Sequence, residues 1–220
     1  MSRALNARRA SASFPLPIQP KVQNLKAHRL LLLCFFLTPS AALAEWQARE
    51  TVQTYSITGQ SGPELYASIG ERGPKVGGLA RVIAHTSFKL TWRREYERQG
   101  DACVLVSTMP KLAITYTLPK PARPLPATTS EHWEIFIEGV RKHELVHGEF
   151  IKELVKNIEA ATVGLTVPAD PQCRKIKSEM TKRLGALSDA HRQQSRAFDR
   201  AELSDGGNVH QLILQLVNGG

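Results

Sequence analysis

Apolar and polar residues alternate over residues 51–57 (Thr-Val-Gln-Thr-Tyr-Ser-Ile) and the pattern stops near Gly59, which predicts a half-buried strand. Residues 63–69 predict a short helix, with Pro63 in its first turn and Leu65, Tyr66 and Ile69 on one side. Gly70, Gly73, Gly77 and Gly78 mark turns or a loop, and residues 80–96 then carry a longer β-rich run. Residues 103–107 and 112–118 predict two further strands, parted at Pro110; the second runs into Pro119 and reads as an edge strand. A connector follows, with prolines at 119, 121, 124 and 126.

Beyond the connector the period becomes helical. Thr128 and Glu131 have the spacing of a capping box. Trp133, Phe136, Val140, His143, His147, Phe150, Ile151, Leu154 and Ile158 then share one stripe. Residues 164–171 break this helix, a second one runs from Cys173 to about Leu203, and residues 209–217 form a short apolar tail, helix or strand. The layout is α+β, a small antiparallel sheet followed by a long helical hairpin.

The N-terminus changes how charge and cysteines are counted. Residues 30–37 are an apolar run preceded by Lys26, His28 and Arg29 and followed by Pro39 and Ala41-Ala42-Leu43-Ala44. This is the pattern of a secretory signal cleaved after Ala44; the run is too short to span a bilayer core of about 30 Å. Cys34 lacks the small residues that a lipoprotein signal places just before its cysteine, so no lipid anchor is expected. The chain has 29 Lys and Arg against 20 Asp and Glu; six of the basic residues and none of the acidic ones fall in residues 1–44. The exported part, residues 45–220, therefore has 23 against 20, a net charge of +3 rather than +9, and gives no support for a nucleic-acid or anionic-membrane partner. It is expected to form one domain, periplasmic or secreted, with no membrane anchor. Cys103 and Cys173 remain in it, and an even count in an exported protein predicts one disulfide; the rival reading, two metal ligands, is weaker because they stand alone and far apart in sequence.

The candidate chemistry lies on the first long helix. His143-Glu144-Leu145-Val146-His147 is an H-E-x-x-H pattern. At i and i+4 both imidazoles leave one face, so two ring nitrogens can reach one Zn²⁺ at about 2.0–2.1 Å. Glu144 is then placed to take a proton from water at the ion. Because the histidines share the apolar stripe they face inward, where unmetallated rings would need separate polar partners. Catalytic zinc usually takes three protein ligands and a water, and nothing just after His147 supplies the third. In an antiparallel hairpin the motif lies about 26 Å before the first helix ends, a level the second helix reaches around Asp189 to His191. These two are the leading candidates, with Asp199, Glu202 and Asp205 behind them. His85 is an outsider from the β half, and His132 and His210 are expected at element ends.

The order of Cys103, the strand ending at Leu118-Pro119, Trp133, Lys142 to Gly148, Cys173 and Phe198-Asp199 resembles one bacterial family. It is the family of predicted secreted zinc-dependent proteases catalogued as a domain of unknown function, and the likeness covers about residues 52–207. The resemblance implies an exported enzyme with a zincin-like active-site helix, His143 and His147 as ligands, Glu144 as base and Cys103 paired with Cys173. It departs near the C-terminus, where the family tends to read Tyr-Asp, two residues, Thr, one residue, His-Gly. Here Phe198-Asp199-Arg200-Ala201-Glu202-Leu203-Ser204-Asp205-Gly206 keeps the Asp and a Gly without the His. The expectation is an exported zinc metalloendopeptidase acting on a peptide or protein. The alternatives are a cell-wall peptide amidase using the same chemistry, or a non-catalytic periplasmic binding protein.

Overall fold

The computed structural model describes residues 46–78 and 80–219. The expected signal segment and its cleavage point lie outside the described residues. The elements are β1 (Arg49–Ile57), α1 (Gly62–Arg72), β2 (Lys75–Val76), β3 (Ala80–Arg81), β4 (His85–Gln99), β5 (Ala102–Pro121), α2 (Ala127–Thr162), β6 (Thr166–Val167), α3 (Lys175–Leu203) and α4 (Asn208–Asn218). The fold is α+β. Its sheet has the order β1-β5-β4, with β6 added to the start of β5 and a separate β2–β3 hairpin.

The sheet is mixed rather than antiparallel, because β1 pairs parallel to β5, Arg49 opposite Ala113 through Ile57 opposite Pro121. That pairing also overturns the edge assignment of residues 112–118. They belong to a central strand, and β4 and β1 are the edges. The expected break at Pro110 is absent. Pro110 stands opposite Trp92 where, among the described residues, β5 has β4 alone as a neighbour, since pairing with β6 stops at Val104 and pairing with β1 begins at Ala113. A residue without an N–H is tolerated at such a place. β1 is less buried than its alternation predicts, with only Ile57 fully covered and Tyr55 partly so.

Along β5 the residues Leu112, Ile114, Tyr116 and Leu118 face inward, and α2 lies across them with Ile151 and Val155. The first half of α2 packs through Trp133, Phe136 and Val140 against Ile57, Leu65 and Ile69 of β1 and α1. The apolar tail completes this layer as a helix, α4, with Leu216 buried in it. So the histidine-bearing turns of α2 are clamped on both sides by core. The proposed cap at Thr128 is not formed; Pro126 precedes the helix and no side chain caps it. A reciprocal cap does open α1, where Glu64 accepts the N–H groups of Gln60 (2.7 Å) and Ser61 (3.2 Å).

Cys103 and Cys173 are disulfide-bonded, and Leu105, Ile176 and Met180 pack beside them. The bond ties the segment just before α3 to the start of β5. From there α3 runs antiparallel to α2: Arg183 reaches the Ala161 carbonyl (2.9 Å), Gln194 reaches Glu153 (3.4 Å) and Asp199 meets His147 (2.8 Å). No helix among the described residues is long and apolar enough to cross a membrane. A disulfide suits an oxidising compartment outside the cytoplasm.

Candidate metal centre

His143 and His147 leave α2 on the side facing α3, and Asp199 of α3 comes to meet them. Asp199 Oδ1 is 2.8 Å from His147 Nε2 and 3.2 Å from His143 Nε2, and the two Nε2 atoms are 3.2 Å apart. Ligands at about 2.0–2.1 Å and tetrahedral angles around zinc stand about 3.3–3.4 Å from one another. The triangle is therefore close to one face of such a site, and among the described residues these three form a group able to hold a metal ion.

The donor chemistry fits as well. Burial alone would raise the Asp199 carboxyl, but hydrogen bonds from His143 and His147 outweigh it and hold the group far below the usual carboxylate range. It therefore presents an anion beside two imidazoles. Phe198 stacks on the His143 ring (4.7 Å between centroids, 17°) and stands edge-on to His147 (5.4 Å), which limits both ring orientations. His143 Nδ1, on the side of the ring away from Asp199, is buried without a hydrogen-bond partner among the described residues. Glu202 Oε2 lies 3.8 Å from it, itself held by Asn208 Nδ2 at 3.1 Å. A metal-bound histidine commonly donates its second ring N–H to a carboxylate, and Glu202 faces that nitrogen from just beyond hydrogen-bond distance.

Asp199 sits farther along α3 than Asp189 and His191, the candidates placed first. It is about 36 Å from the start of α3, against about 26 Å from the motif to the end of α2. The connector between the helices adds β6 to β5 and is fastened by the disulfide, so α3 begins about two turns beyond α2's end. Asp189 is exposed and paired with Arg192. Asp205 is exposed, and Glu202 lies behind His143 rather than in the ligand triangle. His132 Nδ1 lies against the Thr128 carbonyl (3.0 Å) and His210 Nδ1 accepts the Gly206 N–H (3.2 Å), both at helix starts as expected.

Glu144 is buried beside the triangle. Thr86 of β4 donates its hydroxyl to Glu144 Oε2 (2.6 Å) and lies 3.1 Å from the Glu144 carbonyl oxygen. Nothing in the sequence around Thr86 signals this role, because it depends on β4 passing over α2. A cavity of about 470 Å³ opens here, floored by α2, walled by β4 and α3, and bordered by the segment after α1. His191, Ser195 and Asp199 line it at four-residue steps along α3, and His85 lines it from β4. Gly148, just after the motif, is the other feature the sequence left unexplained. A Cβ there would fall 2.1 Å from Tyr116 Oη, so only glycine lets α2 lie this close to β5.

The family described as bacterial protein of unknown function (DUF922) matches residues 52–207. The chain belongs to that family. The DUF922 match runs from β1 through the end of α3 and so includes His143, Glu144, His147, Asp199 and both bonded cysteines. No curated protein and no solved structure matches this DUF922 chain.

Proposed function

We propose that this DUF922 protein is an exported zinc-dependent metalloendopeptidase. The carrying observation is the triangle of His143, His147 and Asp199 with the buried carboxylate of Glu144 beside it, all bordering one open cavity. Two imidazoles and one carboxylate would hold the ion, a donor set that suits Zn²⁺. Zinc, when bound, supplies Lewis acidity that brings the pKa of a coordinated water toward about 7.

The chain's own groups do the rest. Glu144 takes the proton of the attacking water and hands it to the departing amine nitrogen. Thr86 holds one carboxylate oxygen of Glu144 and so fixes which oxygen faces the cavity. His191 lines the same cavity, and its imidazole is the group on α3 that would have to turn toward the cavity to donate to charge developing on the carbonyl oxygen. The outer edge of β4 carries no strand among the described residues, and an extended peptide can add there by main-chain hydrogen bonds.

The test is elemental analysis of the purified protein alongside peptidase assays. One zinc per chain is expected, lost in His143→Ala/His147→Ala. Glu144→Gln should keep the zinc and lose turnover. Absence of zinc after reconstitution would sink the reading.

A further inference from the structure

The surface of the cleft bears on which bond it would cut, an inference that rests on the peptidase reading. Three of the eight large exposed apolar side chains among the described residues ring this one cavity: Val76 (37% exposed), Phe88 (41%) and Leu203 (47%). Scattered single apolar residues need no explanation, but their concentration at a concave site does.

Their positions follow from the helices. Because α2 and α3 are antiparallel, Val140, one turn before His143, and Leu203, one turn after Asp199, lie at the same end of the cleft. Val76 and Val209 line the cavity as well. At the opposite end are Ile151 and the edge-on pair of Phe88 and His191, 6.1 Å between centroids. The Glu144 carboxylate and the triangle stand between the two. The acidic groups lining the cavity are Glu144 and Asp199, both already engaged. Its arginine, Arg81, is bound to the Gly73 carbonyl at 2.6 Å. The walls thus offer apolar contact and no free carboxylate for a basic side chain.

We propose that the cleft takes an extended polypeptide along the free edge of β4 and cuts it beside a large apolar side chain seated between Val76, Val140 and Leu203. On β4, Thr86 and Phe88 point to the helix side of the sheet. A strand added at this edge passes Glu144 and sends alternate side chains toward the cavity.

The experiment uses internally quenched peptides identical except at one residue, set to Leu, Phe, Ala, Glu or Lys. Cleavage is read on the zinc-loaded protein, and binding is read by fluorescence anisotropy on Glu144→Gln. Leu and Phe peptides are expected to bind and to be cut about tenfold or more better than Ala, and better still than Glu or Lys. Leu203→Asp and, independently, Val76→Asp should each erase that preference while leaving zinc content unchanged; both sites are partly exposed, so the fold should tolerate them. Cleavage without side-chain preference, or a preference that survives both variants, overturns the inference and leaves the peptidase reading standing. Selective binding without any cleavage overturns the peptidase reading and leaves the recognition standing. Neither binding nor cleavage overturns both.

Discussion

Replacing Gly148 by alanine sets two effects against each other, and the structure says which wins. In an exposed helix interior the change stabilises by about 0.5–1 kcal/mol, because glycine loses more backbone freedom on folding. Here the new Cβ would lie 2.1 Å from Tyr116 Oη and 3.0 Å from its Cζ. Tyr116 is 3% exposed and cannot swing into solvent, and its hydroxyl donates to Glu50 Oε2 at 2.6 Å. Overpacking costs about 1–3 kcal/mol. Displacing the hydroxyl from Glu50 adds about 1.5 kcal/mol, the low end for a bond to a charged group, since the Glu50 side chain is 34% exposed. The net is a loss of about 2–4 kcal/mol, or about 5–10 °C in Tm for a domain of this size. Urea and thermal unfolding of Gly148→Ala measure it. The same variant in a Tyr116→Phe background, which removes the nearest atom, should recover about 1–2 kcal/mol of the loss as coupling between contacting residues. A Gly148→Ala protein as stable as wild type, or more so, would refute the close approach of α2 to β5.

Three further outcomes follow from the geometry. Glu202→Ala should weaken zinc binding by about 10–100-fold in chelator competition, as loss of an outer partner does; unchanged affinity would detach Glu202 from the site. Asp170 accepts the N–H groups of Arg174 (2.8 Å) and Ile176 (2.9 Å); burial would raise its carboxyl, but backbone hydrogen bonds at the start of α3 hold it below the usual value. A depressed carboxyl contributes stability above its unfolded pKa of about 3.9 and loses it as pH falls through the folded value. Wild type should therefore lose more stability than Asp170→Asn below about pH 4, and equal pH slopes of the urea midpoint would count against this. Removing the disulfide, which spans 70 residues, should cost about 4 kcal/mol by the chain-entropy argument. A loss under about 1 kcal/mol in Cys103→Ser/Cys173→Ser would mean the unfolded chain gains little freedom without it.

The sequence by itself determined what repeats over a few residues. A four-residue step puts two side chains on one helix face whatever surrounds the helix, so the inward stripe of α2 and the pairing of His143 with His147 were legible. So was the disulfide, since only two cysteines lie outside the segment expected to be a signal. Tertiary structure alone decided what depends on how distant segments are offset. A connector that adds a strand to β5 moves the start of α3 outward and brings Asp199, rather than Asp189 or His191, level with the histidines. The parallel pairing of β1 turns residues 112–118 from an edge into the centre of the sheet and leaves β4 free beside the cleft. Thr86 reaches Glu144, and Tyr116 demands a glycine at 148, only because β4 and β5 cross α2. The separations are 58 residues for Thr86–Glu144 and 66 for the Tyr116–Glu50 bond. Contacts at that range leave no periodic trace in a single chain; they exist only once the sheet and the helices have packed.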